Sequence, residues 1–410
     1  MAIAATATPP VVRDRRLAFT ATAAILLTFA AAAAVPSPLY VVYQGLWGFS
    51  AATLTVIFAV YVAALISTLL VLGSLSDFIG RRPVLAGAIA LEAASFVLFL
   101  VAGDVGTLIA ARVVQGIATG AALSTLGAAL IDLNPAHAPG RAGLISGIAP
   151  VAGLAVGALG CGFLVEYAPF PTHLVFALLL AAMVLAAVTV AFLPETAARR
   201  PGVAAALLPR LGVPARLRAD LLALVPIMVA SWALGGLYLA LGPSVAADSF
   251  GLHDHLTGGL VVTLLCGSGA LTSFLLRAVP TPRVLAIAGT GLAAGGLIGV
   301  GGMLTASLLL AAAGTIVSGV GFGAAALASF GTLARLAAPH ERGELQAVAL
   351  VISYAAFSLP AMIAGLLAGR IGLHPTALLY GGAVAALGAL ALAAQALRTR
   401  RTAAAGPAVS

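Results

Sequence analysis

The chain has 410 residues, of which 62% are hydrophobic and only 8% are charged, and its mean hydropathy is +1.16. Soluble domains are typically about one quarter charged, so this composition excludes a soluble globular protein and indicates an integral membrane protein. The formal net charge of +8 comes from twenty arginines with no lysine. Because these arginines lie in short loops between apolar segments rather than on one polar face, a nucleic-acid-binding protein is excluded as well.

The predicted elements are twelve apolar segments, each long enough to cross a bilayer, which takes roughly 20 residues. In chain order these spans 1 to 12 cover residues 17–43, 52–75, 83–103, 106–131, 142–165, 172–193, 219–243, 257–276, 283–302, 307–334, 345–369 and 375–397. Their apolar residues do not alternate as they would in a transmembrane strand. The sequence therefore predicts an all-α integral membrane protein with twelve transmembrane helices.

The longest polar connection, close to the midpoint of the chain, separates the spans into two sets of six. We therefore predict an N-terminal tail at 1–16, a six-helix bundle at 17–193, a linker at 194–218, a second six-helix bundle at 219–397 and a C-terminal tail at 398–410. Residues 204–211 of the linker suggest a short interfacial helix, and a plain linker fits them equally well. A weak similarity between 135–147 and 339–353 suggests that the two halves are related by a pseudo-two-fold axis.

The arginines predict how the chain lies in the membrane. Eighteen of the twenty fall on one side, and the exceptions are Arg112, within span 4, and Arg370, near the opposite side. Cytoplasmic loops of membrane proteins carry an excess of basic residues. Both termini and the linker are therefore expected in the cytoplasm.

The stretch GSLSDFIGRRP, residues 73–83, concentrates charge between spans 2 and 3. A turn with topology-setting arginines explains Arg81 and Arg82, but Asp77 also lies four residues before Arg81, on the same helical face. Gly73 adds a small residue to that face for close helix approach. The stretch resembles the loop signature G-x-L-x-D-[RK]-x-G-[RK]-[RK] of the major facilitator superfamily, and it departs from that signature at Phe78.

Together with the twelve spans, this resemblance covers essentially the whole chain and implies the major facilitator fold of two six-helix halves. It also implies a gating motif made of Gly73, Asp77, Gly80, Arg81 and Arg82. In that motif Asp77 would hold the cytoplasmic ends of the two halves together in the outward-open state, against Arg81 and the start of span 11.

Burial of the Arg112 side chain in lipid costs free energy unless the guanidinium binds an anion, carbonyl groups or water. Gln115 and Thr119 share its helical face. LIAARVVQGIATGAA, residues 108–122, is similar to the superfamily signature L-x-x-x-R-x-x-Q-G-x-G-A-A, with the last glycine one position late at Gly120. The matching arginine takes part in coupling in proton-driven exporters of the family, which implies that role for Arg112. A structural arginine bonded to backbone carbonyls is the alternative.

Glu92 is the acid near the middle of a span, and it would be neutral there unless paired. One interpretation is a proton carrier that works with Arg112. The other is a structural or lipid-adjacent residue, which we favour because span 3 of the family usually faces away from the cavity. In span 5, residues 153–162 resemble the antiporter signature G-x-x-x-G-P-x-x-G-G but depart from it at two positions, with Ala158 in place of proline and Cys161 in place of glycine. The glycines equally suit close helix packing.

Spans 1, 4, 7 and 10 and their neighbours would line the substrate cavity, as the family fold implies. The candidate groups combine aromatic faces with a few hydrogen-bonding tips: Tyr40, Tyr43, Gln44, Tyr61, Gln115, Thr119, Trp232, Tyr238, Phe322, Tyr354 and Phe357. Such a set suits a neutral or amphiphilic organic molecule. His253, Asp254 and His255 have no further ligand cluster nearby in the sequence, so we predict no metal site.

The function favoured by these patterns is secondary transport by alternating access, closest in motif pattern to the twelve-helix drug:proton antiporters. We expect proton-coupled export, no cofactor and no ATP, since no P-loop is present. A proton-coupled importer of a sugar or organic acid is the alternative. A membrane enzyme, which needs paired acids or histidines at a membrane face, and a non-transporting sensor are less favoured. The expected partners are a small-molecule substrate and membrane lipid, with no nucleic acid, for a monomer in a bacterial inner membrane.

Overall fold

The computed structural model describes residues 15–135, 138, 140–207, 212–338 and 341–404. Within them lie twelve helices that are long and apolar enough to cross a membrane, which confirms the predicted all-helical class. Arg13 and Arg210, which belong to the eighteen arginines counted above, lie outside the described residues, as do residues 1–14 and 405–410 of the predicted tails.

The helices form because no water is present in the bilayer core, so each backbone N–H and C=O must find its partner within the segment. Span 1 consists of two helices, Arg15–Ala34 and Pro36–Trp47. Spans 2 to 12 are Ala51–Leu72, Arg81–Leu100, Val105–Asp132, Arg141–Tyr167, Leu174–Phe192, Arg218–Phe250, His255–Leu275, Thr281–Leu304, Leu308–Leu336, Arg342–Ile371 and Leu373–Ala404. Short helices lie at Ser76–Ile79 and Val203–Ala206, and 3₁₀ turns lie at Ala215–Leu217 and Leu276–Ala278.

Span 7 is longer than predicted. The prediction that it ends at Pro243 is wrong, because the helix continues through Pro226 and Pro243 to Phe250. Membrane helices tolerate proline where neighbouring helices satisfy the freed carbonyls. The helix ends only at Gly251, which adopts a left-handed conformation with φ of 67° and donates its N–H to Ala247 O.

The two sets of six spans pack in the same way. In the N-terminal half, span 1 packs on span 5, span 2 on span 4, and span 3 on spans 4 and 6. In the C-terminal half the matching pairs are spans 7 and 11, 8 and 10, 9 and 10, and 9 and 12. Between the halves, span 5 packs on span 8 and span 2 packs on span 11. When spans 1–6 are matched with spans 7–12 in order, each of these two pairs is converted into the other. The fold is therefore two related six-helix bundles with a pseudo-two-fold axis between them.

The two ends of the bundle differ in charge. One end carries Arg15, Arg81, Arg82, Arg141 and Arg216 at helix starts and in the linker, and we call it the arginine-rich end. The opposite end, which we call the distal end, holds the loops between spans 1 and 2, 3 and 4, 5 and 6, and 7 and 8. The short helix Val203–Ala206 overlaps the predicted interfacial helix of the linker, whose later residues 208–211 lie outside the described part of the chain.

Candidate functional site

Span 1 is broken near its middle by the sequence Pro36-Ser37-Pro38. Val35 forms a turn between the two helices of the span, and its N–H donates to Ala31 O at 3.3 Å. Proline has no N–H, so Pro36 cannot supply the usual helical hydrogen bond to Ala32 O. Since Ala32 is wholly buried, its carbonyl needs a donor from outside its own helix.

That donor is Gln115, on span 4. Its Nε2 donates to Ala32 O at 3.1 Å and to Glu92 Oε1, on span 3, at 3.2 Å. Its Oε1 accepts a hydrogen bond of 2.6 Å from Nη1 of Arg112. Gln115 therefore joins three spans and both charged side chains that lie in mid-span in this half.

We call Glu92, Arg112, Gln115 and Thr119 the polar cluster. All four are buried, with Glu92 and Gln115 at 0% exposure and Arg112 at 1%. The hydroxyl of Thr119 lies beside Glu92 and Tyr61. Among the described residues, Oε2 of Glu92 and Nε of Arg112 have no hydrogen-bond partner. The cluster thus contains a buried carboxyl oxygen that can take up a proton and a buried guanidinium N–H that can still donate a hydrogen bond.

Close packing of spans 2 and 4 places an aromatic ring on the arginine. A Cβ at Gly116 would lie 2.8 Å from the Cβ of Ala64, and one at Gly120 would lie 2.6 Å from Leu65 O, so both positions require glycine. This contact brings the Tyr61 ring over Arg112, whose Cζ is 4.0 Å from the ring centroid. A buried cation is stabilised by the negative face of such a ring.

The position of Glu92 corrects one expectation. A lipid-adjacent role is wrong, because the side chain has no exposed surface and lies inside the N-terminal half against span 4. The predicted pairing with Arg112 is indirect in the structure, through the amide of Gln115. Burial of an acid and a base together costs less than burial of either alone.

The C-terminal half presents aromatic rings instead of charges. Trp232 of span 7 lies 5.1 Å from Tyr354, 5.8 Å from Phe357 and 6.3 Å from Phe330, measured between ring centroids, with edge-to-face geometry. Phe58 of span 2 joins Phe357 across the two halves at 5.1 Å. Trp232 and Tyr354 are half-buried. These rings form an apolar patch at the junction of the halves, and we call it the aromatic cluster.

The other predicted cavity residues divide into three groups. Tyr40, Tyr43 and Tyr61 are buried, and Tyr43 stacks on Trp47 with 4.8 Å between centroids. Phe322 is buried against Gly235 and Gly269 inside the C-terminal half, and Tyr238 bonds to the Thr315 hydroxyl at 2.8 Å. Gln44 lies toward the distal end, where its Oε1 accepts from Ser244 of the other half. The structure therefore gathers only part of the predicted set around the polar and aromatic clusters.

Some residues of this region carry little signal in the sequence. Phe58 and Phe330 are isolated phenylalanines in apolar spans, and such residues have no distinguishing pattern. Pro36 and Pro38 carry the one signal that was available for the helix break.

At the arginine-rich end, the predicted gating motif forms a compact ionic group. Arg81 pairs with Asp77 at 2.5 Å, four residues earlier, and its Nε donates to Asp132 Oδ2, at the end of span 4, at 3.2 Å. Glu195 accepts the backbone N–H of Arg81 at 2.7 Å and that of Arg82 at 3.1 Å, so it caps the start of span 3. Asp132 and Glu195 were not predicted as partners.

Three other residues of this loop have local roles. Gly80 has a φ of 104° at the start of span 3, which only glycine adopts without strain. The atoms nearest to a Cβ at Gly73 belong to Leu69 of its own span, so the close approach predicted there is not observed. Phe78, where the signature has a basic residue, accepts the N–H of Arg200 at its carbonyl, at 2.8 Å, and so ties the loop to the linker.

The halves meet from the middle of the bundle to the distal end. Glu166, at the end of span 5, accepts the backbone N–H of His255, at the start of span 8, at 2.8 Å. Thr263 of span 8 donates to Ala155 O at 3.0 Å. A Cβ at Gly162 would lie only 2.6 Å from His255 O, and one at Gly365 of span 11 would lie 2.6 Å from Cγ2 of Thr55. These contacts close the distal end.

The glycines of residues 153–162 divide between two contacts. A Cβ at Gly153 would lie 2.6 Å from Leu27 O of span 1, and Gly157 packs against Ala31 of the same span. Gly162 faces span 8, as described above. The glycine pattern of span 5 therefore serves close packing both within its half and across the halves.

The tripeptide His253-Asp254-His255 serves as the start of span 8. Oδ1 of Asp254 accepts the N–H of Thr257 at 2.8 Å, and the hydrogen bonds from Thr257 lower the pKa of Asp254. Among the described residues, no group of three or more His, Cys, Asp or Glu side chains is placed to hold a metal ion.

The chain resembles known proteins in both sequence and structure. The sequence model described as Major Facilitator Superfamily matches residues 17–359. A protein of Penicillium rubens (strain ATCC 28089 / DSM 1075 / NRRL 1951 / Wisconsin 54-1255) named MFS-type transporter paaT is 34% identical over 97 residues, which cover 24% of this chain and 18% of that protein. The chain thus matches less than one fifth of that relative's length.

Several solved structures share the fold. A bacterial homologue of the human lysosomal transporter Spinster, in an inward-facing and unoccupied conformation, matches with a TM-score of 0.75 and 14% identity over 95% of this chain and 98% of its own. The human organic anion transporter MFSD10 matches with a TM-score of 0.67 and 20% identity over 95% and 100%. A D-xylose–proton symporter matches with a TM-score of 0.71 and 15% identity over 92% and 96%. At these identities the likeness concerns the fold.

Proposed function

Since the chain belongs to the Major Facilitator Superfamily and is a multi-pass secondary transporter rather than an enzyme, we propose that it couples proton movement to the export of small neutral or amphiphilic organic compounds. The observation that carries this proposal is the polar cluster. A wholly buried carboxyl group at Glu92 lies one amide away from a buried arginine. Groups of this kind inside membrane proteins are characteristic of ion and proton pathways.

We propose further that the arginine-rich end faces the cytoplasm. Eighteen of the twenty arginines of the sequence support this orientation. With that orientation, the contacts of spans 5 and 8 and of spans 2 and 11 close the protein toward the outside, and we infer an inward-facing conformation from them. Both termini then lie in the cytoplasm.

The residues at the junction of the halves support this substrate class. The charged residues of spans 7 to 12 stand near the ends of those spans, and in the N-terminal half Glu92 and Arg112 offset each other's charge. The aromatic cluster around Trp232 and Tyr354 offers ring faces and edges rather than ionic partners. Such walls suit a neutral or amphiphilic molecule with an aromatic or apolar body.

Export is supported by residues 153–162 and their resemblance to the antiporter signature. The gating motif has a separate role in this proposal. Asp77, whose carboxylate is half exposed and paired with Arg81 in the described conformation, is available to bind the start of span 11 when the arginine-rich end closes. Asp77 would then exchange its contact with Arg81, within one half, for a contact with span 11 of the other half.

Flux through the purified protein in proteoliposomes tests the proposal. A panel of neutral and amphiphilic aromatic compounds would be loaded, and their movement measured with and without an imposed pH gradient. We expect an inward proton gradient to drive compounds in the opposite direction in the wild type, and Glu92→Gln to abolish the response to the gradient. Thr28→Val, which removes a hydroxyl that donates to Ala24 O of its own helix, serves as a matched control and should respond like the wild type.

Three results would contradict parts of the proposal. Compounds that move together with protons would indicate an importer, and flux that ignores the gradient would exclude proton coupling. A Glu92→Gln variant that still responds fully to the gradient would remove Glu92 from the proton pathway.

A further inference from the structure

Gln115 uses every hydrogen-bonding atom of its side chain inside the protein. A primary amide has two N–H donors and one carbonyl acceptor. Here the two donors go to Glu92 Oε1 and Ala32 O, and the acceptor receives Nη1 of Arg112. The side chain is wholly buried, so water does not substitute for any of these partners.

The carbonyl of Ala32 depends on this amide. Its helical partner would be the N–H of residue 36, which is a proline. A buried carbonyl without a donor is destabilising, so the present shape of the break in span 1 requires the hydrogen bond from Gln115. The break and the charged pair are therefore tied to the same side chain, and the longer bond of 3.4 Å from Arg112 Nη1 to Ala33 O adds a second contact with this part of span 1.

A change in the charge of Glu92 alters which groups the Gln115 amide binds. When Glu92 is neutral, its proton resides on Oε2, which has no other partner among the described residues, and Oε1 accepts from Gln115. When the proton leaves to water, the carboxylate becomes an anion in a dry site with Arg112 as its nearest cation. The attraction between them draws Arg112 away from Gln115 Oε1 and competes with Ala32 O for the amide N–H.

The surroundings of Glu92 contain few other groups that respond to pH. Span 4 contributes Arg112, and the hydroxyls of Tyr61 of span 2 and Tyr40 of span 1 lie near the pair. Span 6, which also packs on span 3, has no titratable side chain between Leu174 and Phe192. Asp77, on the short helix that precedes span 3, stands 15 residues before Glu92 in the chain and pairs with Arg81 at the arginine-rich end.

We propose that Gln115 is a positioning residue that transmits the protonation state of Glu92 to the broken helix of span 1, and through it to the contact between the halves. The inference rests on the proposed proton coupling at Glu92. In this mechanism the protonated state keeps the three hydrogen bonds of Gln115 and favours the conformation that is closed at the distal end. Loss of the proton withdraws the donor from Ala32 O, changes the angle at the break and favours opening of that end.

The test measures the separation of the halves at the distal end as a function of pH. Spin labels at Phe170 and His253, which are exposed on the two sides of that end, would report their distance by pulsed electron paramagnetic resonance in the full-length protein in nanodiscs. In the wild type we expect the closed population to fall as pH rises from mildly acidic to mildly alkaline. Glu92→Gln should stay in the closed population across this range.

Gln115→Met keeps the length of the side chain and removes its hydrogen bonds. We expect it to reduce the pH-induced change in population by about tenfold, and the double variant Glu92→Gln/Gln115→Met should show no additional change in pH response over Glu92→Gln alone. Gln395→Met is the matched control, because it also removes an amide bond to a backbone carbonyl, that of Pro282, but at the arginine-rich end of span 12. Its pH response should equal that of the wild type.

The outcomes separate the two proposals. If Glu92→Gln keeps the wild-type pH response, proton coupling at Glu92 is wrong. If Glu92→Gln loses the response and Gln115→Met keeps it, coupling at Glu92 stands and the role of Gln115 is overturned.

If Gln115→Met does not fold, Pro36→Ala decides. This variant restores an N–H that can bond to Ala32 O within span 1 and makes the amide of Gln115 dispensable there. A weakened pH response supports the inference, and a wild-type response overturns it.

Discussion

The contact between spans 5 and 8 at the distal end can be tested by adding a single methyl group. Gly162→Ala places a Cβ where the two halves are closest. That atom would lie 2.6 Å from His255 O, 3.2 Å from the Cα of Gly259 and 3.3 Å from its N. Because the nearest atoms belong to the backbone of the other half, a side-chain rotation does not relieve the overlap.

The size of the effect follows from this geometry. A Cβ needs at least roughly 3 Å to a carbonyl oxygen, so the two spans must separate by about half an ångström at this point. Overpacking of this kind costs about 1–3 kcal/mol. The cost applies only while the distal end is closed, so the equilibrium should shift about 5- to 150-fold toward the conformation that is open at that end.

The assay is the distance between spin labels at Phe170 and His253 described above, in a background where Cys161 and Cys266, which are free and buried, are replaced by alanine. Gly160→Ala is the matched control, because it makes the same change in the same helix and its Cβ meets nothing within 4 Å. Gly162→Ala should broaden and lengthen the distance distribution, and Gly160→Ala should leave it unchanged.

Identical distance distributions for the two variants would refute the reasoning. Such a result would mean that spans 5 and 8 relax locally and that their contact does not set the balance between conformations. A variant of Gly162 that opens the distal end but leaves transport fully active would instead show that this balance does not limit the transport rate.

Three further predictions concern the polar cluster and the two ends. Tyr61→Leu should lower the free energy of unfolding by about 2 kcal/mol, because it removes the ring that stacks on the desolvated Arg112 cation. Tyr61→Phe keeps the ring and should lower the free energy of unfolding by less. Thermal unfolding in detergent measures both effects. Asp77→Asn should change the ratio of the two conformations by no more than about fivefold, since the ion pair with Arg81 is partly exposed. Equilibrium binding of a transported compound should stay unchanged. Loss of binding would contradict a purely conformational role for Asp77. Asp254→Ala should destabilise the protein by about 1 kcal/mol near neutral pH through loss of the helix cap. Because the pKa of Asp254 is lowered in the folded protein, the stability difference between wild type and variant should disappear as the pH falls through that lowered pKa. A destabilisation that persisted in acid would exclude the cap as its cause.

The number and class of the helices could be predicted from the sequence because lipid imposes one requirement on the whole chain. Every backbone polar group in the hydrocarbon core needs an internal partner, so long apolar segments become helices irrespective of detail. The end of span 7 was misplaced because that requirement says little about proline. Pro243 is accommodated inside the helix, and Gly251 ends it.

The polar residues of the candidate site could also be recognised from the sequence, since Glu92 and Arg112 are the charged residues placed near the middle of spans. A charged side chain in lipid costs free energy in any fold, so these residues stand out before the fold is known. The pairing of Arg112 with Gln115, three residues on, follows from helical spacing.

Only the tertiary structure decided which way Glu92 faces and what it contacts. The rotation of a membrane helix about its own axis depends on where neighbouring helices approach it, and here small residues such as Gly116 and Gly120 set that approach. Apolar residues surround the span on all sides, so hydropathy carries no signal for this rotation. The bond from Gln115 to Ala32 O depends in addition on the break at Pro36, and the closure of the distal end by Glu166 and His255 depends on the docking of the two halves. The sequence by itself determined which groups are costly to bury, and the packing of the helices determined how that cost is met.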